Sequence, residues 1–187
     1  MREKFKSFYN KETVLDTCTI IDLQRLEILD LPLRVFSKVY ITKNIIIEEL
    51  EEDFSKQLIE IGYEPISLET EDGYGFLFQL DVDYKKLSTS DKIVIATAYE
   101  RNIICCTNDS PARNACIEND ITLTGTLGII CCAYENGIIT RKELINLINR
   151  YDTGIEAHIS YEVISQIRNL YKIPQSINTS DTPKTIL

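Results

Sequence analysis

The sequence predicts an α/β protein in which a mostly parallel five-stranded sheet is covered by helices on both faces. Five short, β-rich apolar runs bounded by turn or cap residues alternate with stretches of helical period, the pattern of βαβ units. The chain is also large enough for one substantial core without disulfides, with 187 residues and 44% hydrophobic content.

The elements follow in order. "TVLD" (13–16) is the first run, and helical spacing covers 18–29. "KVYIT" (38–42) is the second, followed by a helix expected over 43–60. "EPISLE" (64–69) leads into two helices, 71–84 and 89–101; the second opens on "STSD", where Ser88 and Asp91 have capping-box spacing. "NIICCT" (102–107) precedes a helix at 110–119, with Ser110 suited to the cap and Pro111 to the first helical position, which leaves Asp109 one place too early to cap. "ITLTG" (121–125) is the last run, and Thr126 suits the cap of a helix at 126–136, before another at 140–150. A further helical pattern spans roughly Ser160 to Tyr171, and Pro174 opens a polar tail. The expected division is an N-terminal arm at 1–12, loosely attached, a catalytic domain at 13–150, a helical extension at 151–173 and a flexible tail at 174–187. No internal repeat or low-complexity segment breaks it.

Composition excludes several classes of function. The chain has no uncharged apolar run of roughly eighteen residues and no signal-peptide pattern, so the expectation is a cytoplasmic protein without a membrane partner. Six cysteines form no C-x-x-C knuckle and read as small buried hydrophobes of a reducing compartment. The one histidine, His158, leaves Ser-His-Asp and Cys-His chemistry with nothing better to rest on than a weakly patterned segment. A net charge of −9 has the wrong sign for a protein that holds nucleic acid mainly by neutralising phosphate, unless acids gather around cations in one cleft.

Acids do stand where a parallel sheet concentrates its chemistry, beyond the carboxyl ends of the strands. Asp16 follows the first run directly, Asp109 follows the fourth, Glu48 and Glu49 descend the helix after the second, and Asp91 lies in the first turn of the helix entering the fourth. Each has a plainer reading: Asp16 as a helix cap, Asp91 as half of a capping box, the two glutamates as a solvated face. Together they favour a shared cation, because two carboxylates about 4 Å apart repel by roughly 4 kcal/mol at an effective dielectric near 20. Oxygen-only ligands indicate a hard ion, Mg²⁺ or Mn²⁺.

"VLDTCTIIDL", "YITKNIIIEEL", "LSTSDKIVIATA" and "IICCTNDSPARNA" resemble, in order, the four motifs of the PIN-domain ribonucleases, and "LTGTLGIICCAYENGII" resembles a loop and helix of one prokaryotic branch. The likeness spans about residues 13–150. It implies a three-layer α/β/α sandwich, Mg²⁺ or Mn²⁺ at a carboxylate cleft, and endonucleolytic hydrolysis of RNA, commonly as the toxin of a toxin–antitoxin pair. Carried over by position, the metal-binding and catalytic residues would be Asp16, Glu49, Asp91 and Asp109, with Glu49 preferred to Glu48 because it directly precedes Leu50. Thr17 and Thr107 match supporting hydroxyls. Arg113, one helical turn from Asp109, and Lys43 are the RNA-binding candidates; Arg113 reads equally well as a surface arginine, and Arg101 is a weaker candidate. The sequence departs from the family at Thr42-Lys43, where many relatives place proline, and at Asn108, a place often acidic in that branch. An antitoxin protein and a homodimer are expected partners, although no interface is legible in the sequence.

Competing readings are a PIN-like module that has lost cleavage and binds RNA or a protein partner, a haloacid-dehalogenase-like phosphatase and a receiver-type phosphorylation domain. The phosphatase needs a second Asp where Cys18 stands, and the receiver domain needs an acidic pair where Asp16 is alone.

Overall fold

The computed structural model describes residues 1–154 and 161–174; the expected tail beyond Pro174 and His158 lie outside them. Five strands, β1 (Glu12–Leu15), β2 (Lys38–Thr42), β3 (Glu64–Ile66), β4 (Ile104–Cys106) and β5 (Leu123–Thr124), form one sheet in the order β3-β2-β1-β4-β5. Every pairing is parallel. β4 is buried throughout and β1 in three of its four residues, as strands covered on both faces must be.

The helices in chain order are α1 (Arg2–Lys6), α2 (Thr17–Arg25), α3 (Leu31–Val35), α4 (Lys43–Glu48), α5 (Glu52–Ile61), α6 (Glu71–Asp83), α7 (Thr89–Arg101), α8 (Ser110–Glu118), α9 (Thr126–Glu135), α10 (Arg141–Gly154) and α11 (Tyr161–Tyr171). α7 lies against β1, β2 and β4 and carries α6 on its outer side, whereas α9 packs with α1, α2, α3 and α10. Both are buried along most of their length, which requires helices that are apolar on more than one face. α7 ends on Asn102 in the left-handed region at φ 51°, a conformation that asparagine tolerates better than most residues.

Three expectations are corrected. The helix expected over 43–60 is two helices: Glu49 and Leu50 both donate their backbone N–H to Ile45 O at 3.0 and 3.1 Å, and Glu51 is extended. That turn seats Leu50 on the core. The helix expected over 18–29 stops at Arg25, with Glu27 at φ 60°, and α3 begins after it. The arm is docked, because Phe8 is buried, Phe5 packs on the core, and Arg2 donates to Leu170 O at 3.0 Å while lying over the Tyr171 ring. The cysteines are free thiols, five buried and Cys18 half-buried. Among the described residues, no helix is long and apolar enough to cross a membrane.

Candidate active site

Strand order creates the site. β1 connects to β2 on one side, whereas the chain reaches β4 on the other, so the carboxyl ends of β1 and β4 flank the point where the winding reverses. Leu15 is in register with Cys106, which sets Asp16 beside Thr107.

Asp16 is the N-cap of α2, in extended conformation, with Oδ1 accepting from Thr19 N at 2.8 Å. Its Oδ2 accepts from the Cys18 thiol at 2.9 Å, and it is only 2% exposed. Burial raises its pKa, while hydrogen bonds from Cys18, Thr107 and Thr19 oppose the rise. Burial and the neighbouring Asp16 carboxylate in turn push the Cys18 thiol up.

A cleft of about 490 Å³ opens in front of this pair, lined by Thr17, Cys18, Ile21, Glu49, Asp91, Asp109, Ser110 and Pro111. Three of the four predicted carboxylates therefore line one cleft, and the fourth, Asp16, sits behind the Cys18 wall. Glu49, at the C-cap of α4, accepts a hydrogen bond from the Thr17 hydroxyl and lines the cleft, whereas Glu48, equally exposed, does not line it. Asn44 donates to Ser90 at 2.7 Å and so ties the Glu49 segment to the start of α7. Asp91 completes the expected capping box, with Oδ2 accepting from Ser88 N at 3.2 Å and from Ser88 Oγ at 2.7 Å. Asp109 occupies the N-cap position of α8, one place later than expected relative to the helix, because the helix starts at Ser110 with Pro111 second; its side chain makes no capping hydrogen bond. Its backbone N–H donates to the Thr107 hydroxyl at 3.1 Å. Both predicted hydroxyls thus touch the acidic set, Thr17 through Glu49 and Thr107 through Asp16 and Asp109.

The cationic candidates divide. Arg113 Nη1 donates to Thr107 O at 2.8 Å and Thr124 O at 3.0 Å, clasping the ends of β4 and β5. Arg101 pairs with Glu69 at 2.7 Å. Lys43 is exposed at the start of α4.

Sequence reasoning missed the buried network behind the cleft. Asp22 Oδ2 accepts from Tyr151 OH at 2.7 Å and from Asn108 Nδ2 at 2.8 Å. Asn108 Nδ2 also donates to the Thr126 hydroxyl at 2.7 Å, and Asn108 Oδ1 accepts from Thr126 N at 3.1 Å. Asn108 therefore caps α9 from outside, and Gly125, not the expected Thr126, holds the N-cap position. A Cβ at Gly125 would collide with Asn108 Oδ1. An acid inside the apolar "TIIDL" was the one available signal for Asp22.

The donor set, carboxylates with adjoining hydroxyls, suits a hard divalent cation. Yet among the described residues no three acidic, cysteine or histidine side chains stand together in a way that could hold an ion; Asp16 and Asp91 accept at helix caps and Glu49 accepts from Thr17. The residues fit such an ion in chemistry, and Glu49, Asp91 and Asp109 share the cleft, with Asp16 next to its lining residue Cys18.

A family profile described as a PIN domain matches residues 12–172. No curated protein matches the chain.

Proposed function

The chain belongs to the PIN-domain family, whose members are generally nucleases that typically use divalent metals; on that premise we propose that it is a Mg²⁺- or Mn²⁺-dependent endoribonuclease that hydrolyses RNA phosphodiester bonds as the toxin of a toxin–antitoxin pair. The supporting observation is the convergence of Glu49, Asp91 and Asp109 on one cleft with Asp16 directly behind it, at the switch point of a parallel sheet.

In this reading Asp16, Glu49, Asp91 and Asp109 would hold the cation, and the chemistry it would supply when bound is Lewis acidity toward a phosphoryl oxygen. Thr17 orients Glu49, and Thr107 orients Asp16 and the backbone at Asp109. Rotation of the Cys18 thiol releases Asp16 Oδ2 toward the cleft. Arg113 keeps the ends of β4 and β5 together beneath Asp109, which favours a positioning role for it, and Lys43 is the exposed cation left to meet the RNA backbone.

The deciding assay is cleavage of single-stranded RNA with and without Mn²⁺ or Mg²⁺, using Asp16→Asn and Asp109→Asn. Each substitution is expected to abolish cleavage while the circular dichroism spectrum is kept. Cleavage that survives both would remove the site assignment. Induced expression in a bacterial host should arrest growth, and Asp109→Asn should relieve the arrest.

A second reading, a PIN module without cleavage that binds RNA or a protein partner, is favoured by the engagement of Asp16 and Asp91 as caps. It predicts no change in melting temperature with either cation.

A further inference from the structure

A second cavity, of about 340 Å³, adjoins the acidic cleft, and Ser110 lines both. Its walls come from α1, β5, the starts of α8 and α9, and α11. Phe5, Phe8, Leu123, Leu127 and Ile167 make those walls largely apolar. The volume falls in the range of roughly 300–1,000 Å³ usual for small-molecule sites.

Charge separates the two spaces. The cleft holds Glu49, Asp91 and Asp109, whereas among the described residues the cavity is lined by Lys4 and Arg113 and by no acid. In a chain of net charge −9, it is a place where an anion meets cations alone. Arg113 Nη1 is committed to Thr107 O and Thr124 O, which fixes the guanidinium, and its other nitrogens make no hydrogen bond among the described residues. Lys4 is exposed and enters no ion pair among them.

A hydroxyl in the wall gives a second, independent signal. Thr124 is buried and its carbonyl accepts from Thr107 N and Arg113, yet its hydroxyl makes no hydrogen bond among the described residues. A buried hydroxyl normally has a partner. Asn108 is already committed to Asp22 and Thr126, so Thr124 and Ser110 are the polar side chains of this wall left for a ligand.

Aromatic and aliphatic walls, two cations and unmatched hydroxyls together suit a nucleotide: rings cover the base, hydroxyls meet its edge, and the cations meet phosphate. A purely aliphatic ligand uses neither the cations nor the hydroxyls, and an inorganic anion leaves the apolar walls uncovered.

We propose that this cavity receives the base of a nucleotide, and that in bound RNA this is the nucleotide flanking the scissile phosphate, so that the cavity sets base preference at the cut. Its placement beside the scissile bond rests on the ribonuclease reading above, whereas nucleotide binding itself does not.

The first test is titration of the full chain, in chelator, with each of the four nucleoside 5′-monophosphates, followed by backbone amide chemical shifts. One base should bind ahead of the others, with saturable shifts at Phe5, Gly125, Leu127 and Gly128. Val163 is an exposed lining residue, so Val163→Trp should fill the cavity and abolish these shifts with an unchanged circular dichroism spectrum. Lys4→Glu should weaken binding about tenfold. The second test is cleavage of a randomised single-stranded RNA with Mn²⁺, which should show the same base preferred beside the cut, and Val163→Trp should lose that preference. Absence of shifts with all four monophosphates, or shifts that persist in Val163→Trp, overturns the proposal. A preference at the cut that survives Val163→Trp also overturns it, and the nuclease reading then stands. Cavity shifts without any base preference at the cut overturn the placement in RNA and assign the cavity to a free mononucleotide. Cavity shifts in a chain that cuts no RNA do the same and remove the nuclease reading as well.

Discussion

Asp16 shows how one side chain serves structure and a proposed site together. Its carboxylate caps α2, yet it is buried beside a thiol and behind a cleft containing three further acids, so its charge is held at a cost. Asparagine caps a helix as well as aspartate does. Asp16→Asn should therefore keep the cap, remove the charge, and raise the melting temperature of the metal-free protein by about 2–4 °C, equivalent to about 1 kcal/mol, in a thermal scan with chelator. Glu100 behaves in the opposite way. Burial opposes its ionisation, but the hydrogen bonds from Glu69 and Thr70 prevail and lower its pKa below the ordinary 4.5. A depressed folded-state pKa means that the stabilisation is complete above that ordinary value and is lost as pH falls through the folded one. Glu100→Gln should thus melt below wild type at neutral pH, and the gap should close as the pH is taken below 4.5 in a melting series.

The start of α7 is the element in which local chemistry and the cleft compete most directly. The capping box stabilises the helix end and at the same time keeps Asp91 Oδ2 on Ser88. Ser88→Ala should destabilise the protein by about 1 kcal/mol, measured by urea unfolding, and should increase the thermal stabilisation by Mn²⁺ because Asp91 is then freer to turn inward. The break between α4 and α5 is a second case. The acidic run "EELEED" has the composition of one solvated helix, and the helix yields only because Leu50 finds the core, which turns Glu49 toward Thr17.

Across the whole molecule, the network of Asp22, Asn108, Thr126 and Tyr151 joins β4 to α2, α9 and α10 behind the cleft, with Asp22 and Tyr151 separated by 129 positions in sequence. Burial and the adjacent Asp22 carboxylate raise the Tyr151 pKa, which keeps the phenol protonated and donating. Tyr151→Phe leaves a buried carboxylate one donor short and should cost about 1.5–3 kcal/mol in urea unfolding. A melting temperature raised by Mg²⁺ or Mn²⁺ in the wild type, and not in Asp109→Asn, would be the global sign that the cleft holds a cation.

The alternation of apolar runs with helical stretches was legible because strand and helix periods are local properties, carried by neighbouring side chains. So was the delivery of Asp16, Glu49, Asp91 and Asp109 to one end of the sheet, since parallel strands all present their carboxyl ends to the same side. The tertiary structure alone decided that β1 and β4 are neighbours, that Glu49 meets the Thr17 hydroxyl, that the N-terminal arm docks through Phe5 and Phe8, and that Asn108 caps α9. Each of these rests on contacts between residues far apart in the chain, whose energy depends on which surfaces meet after collapse, and no short stretch of sequence encodes such a meeting.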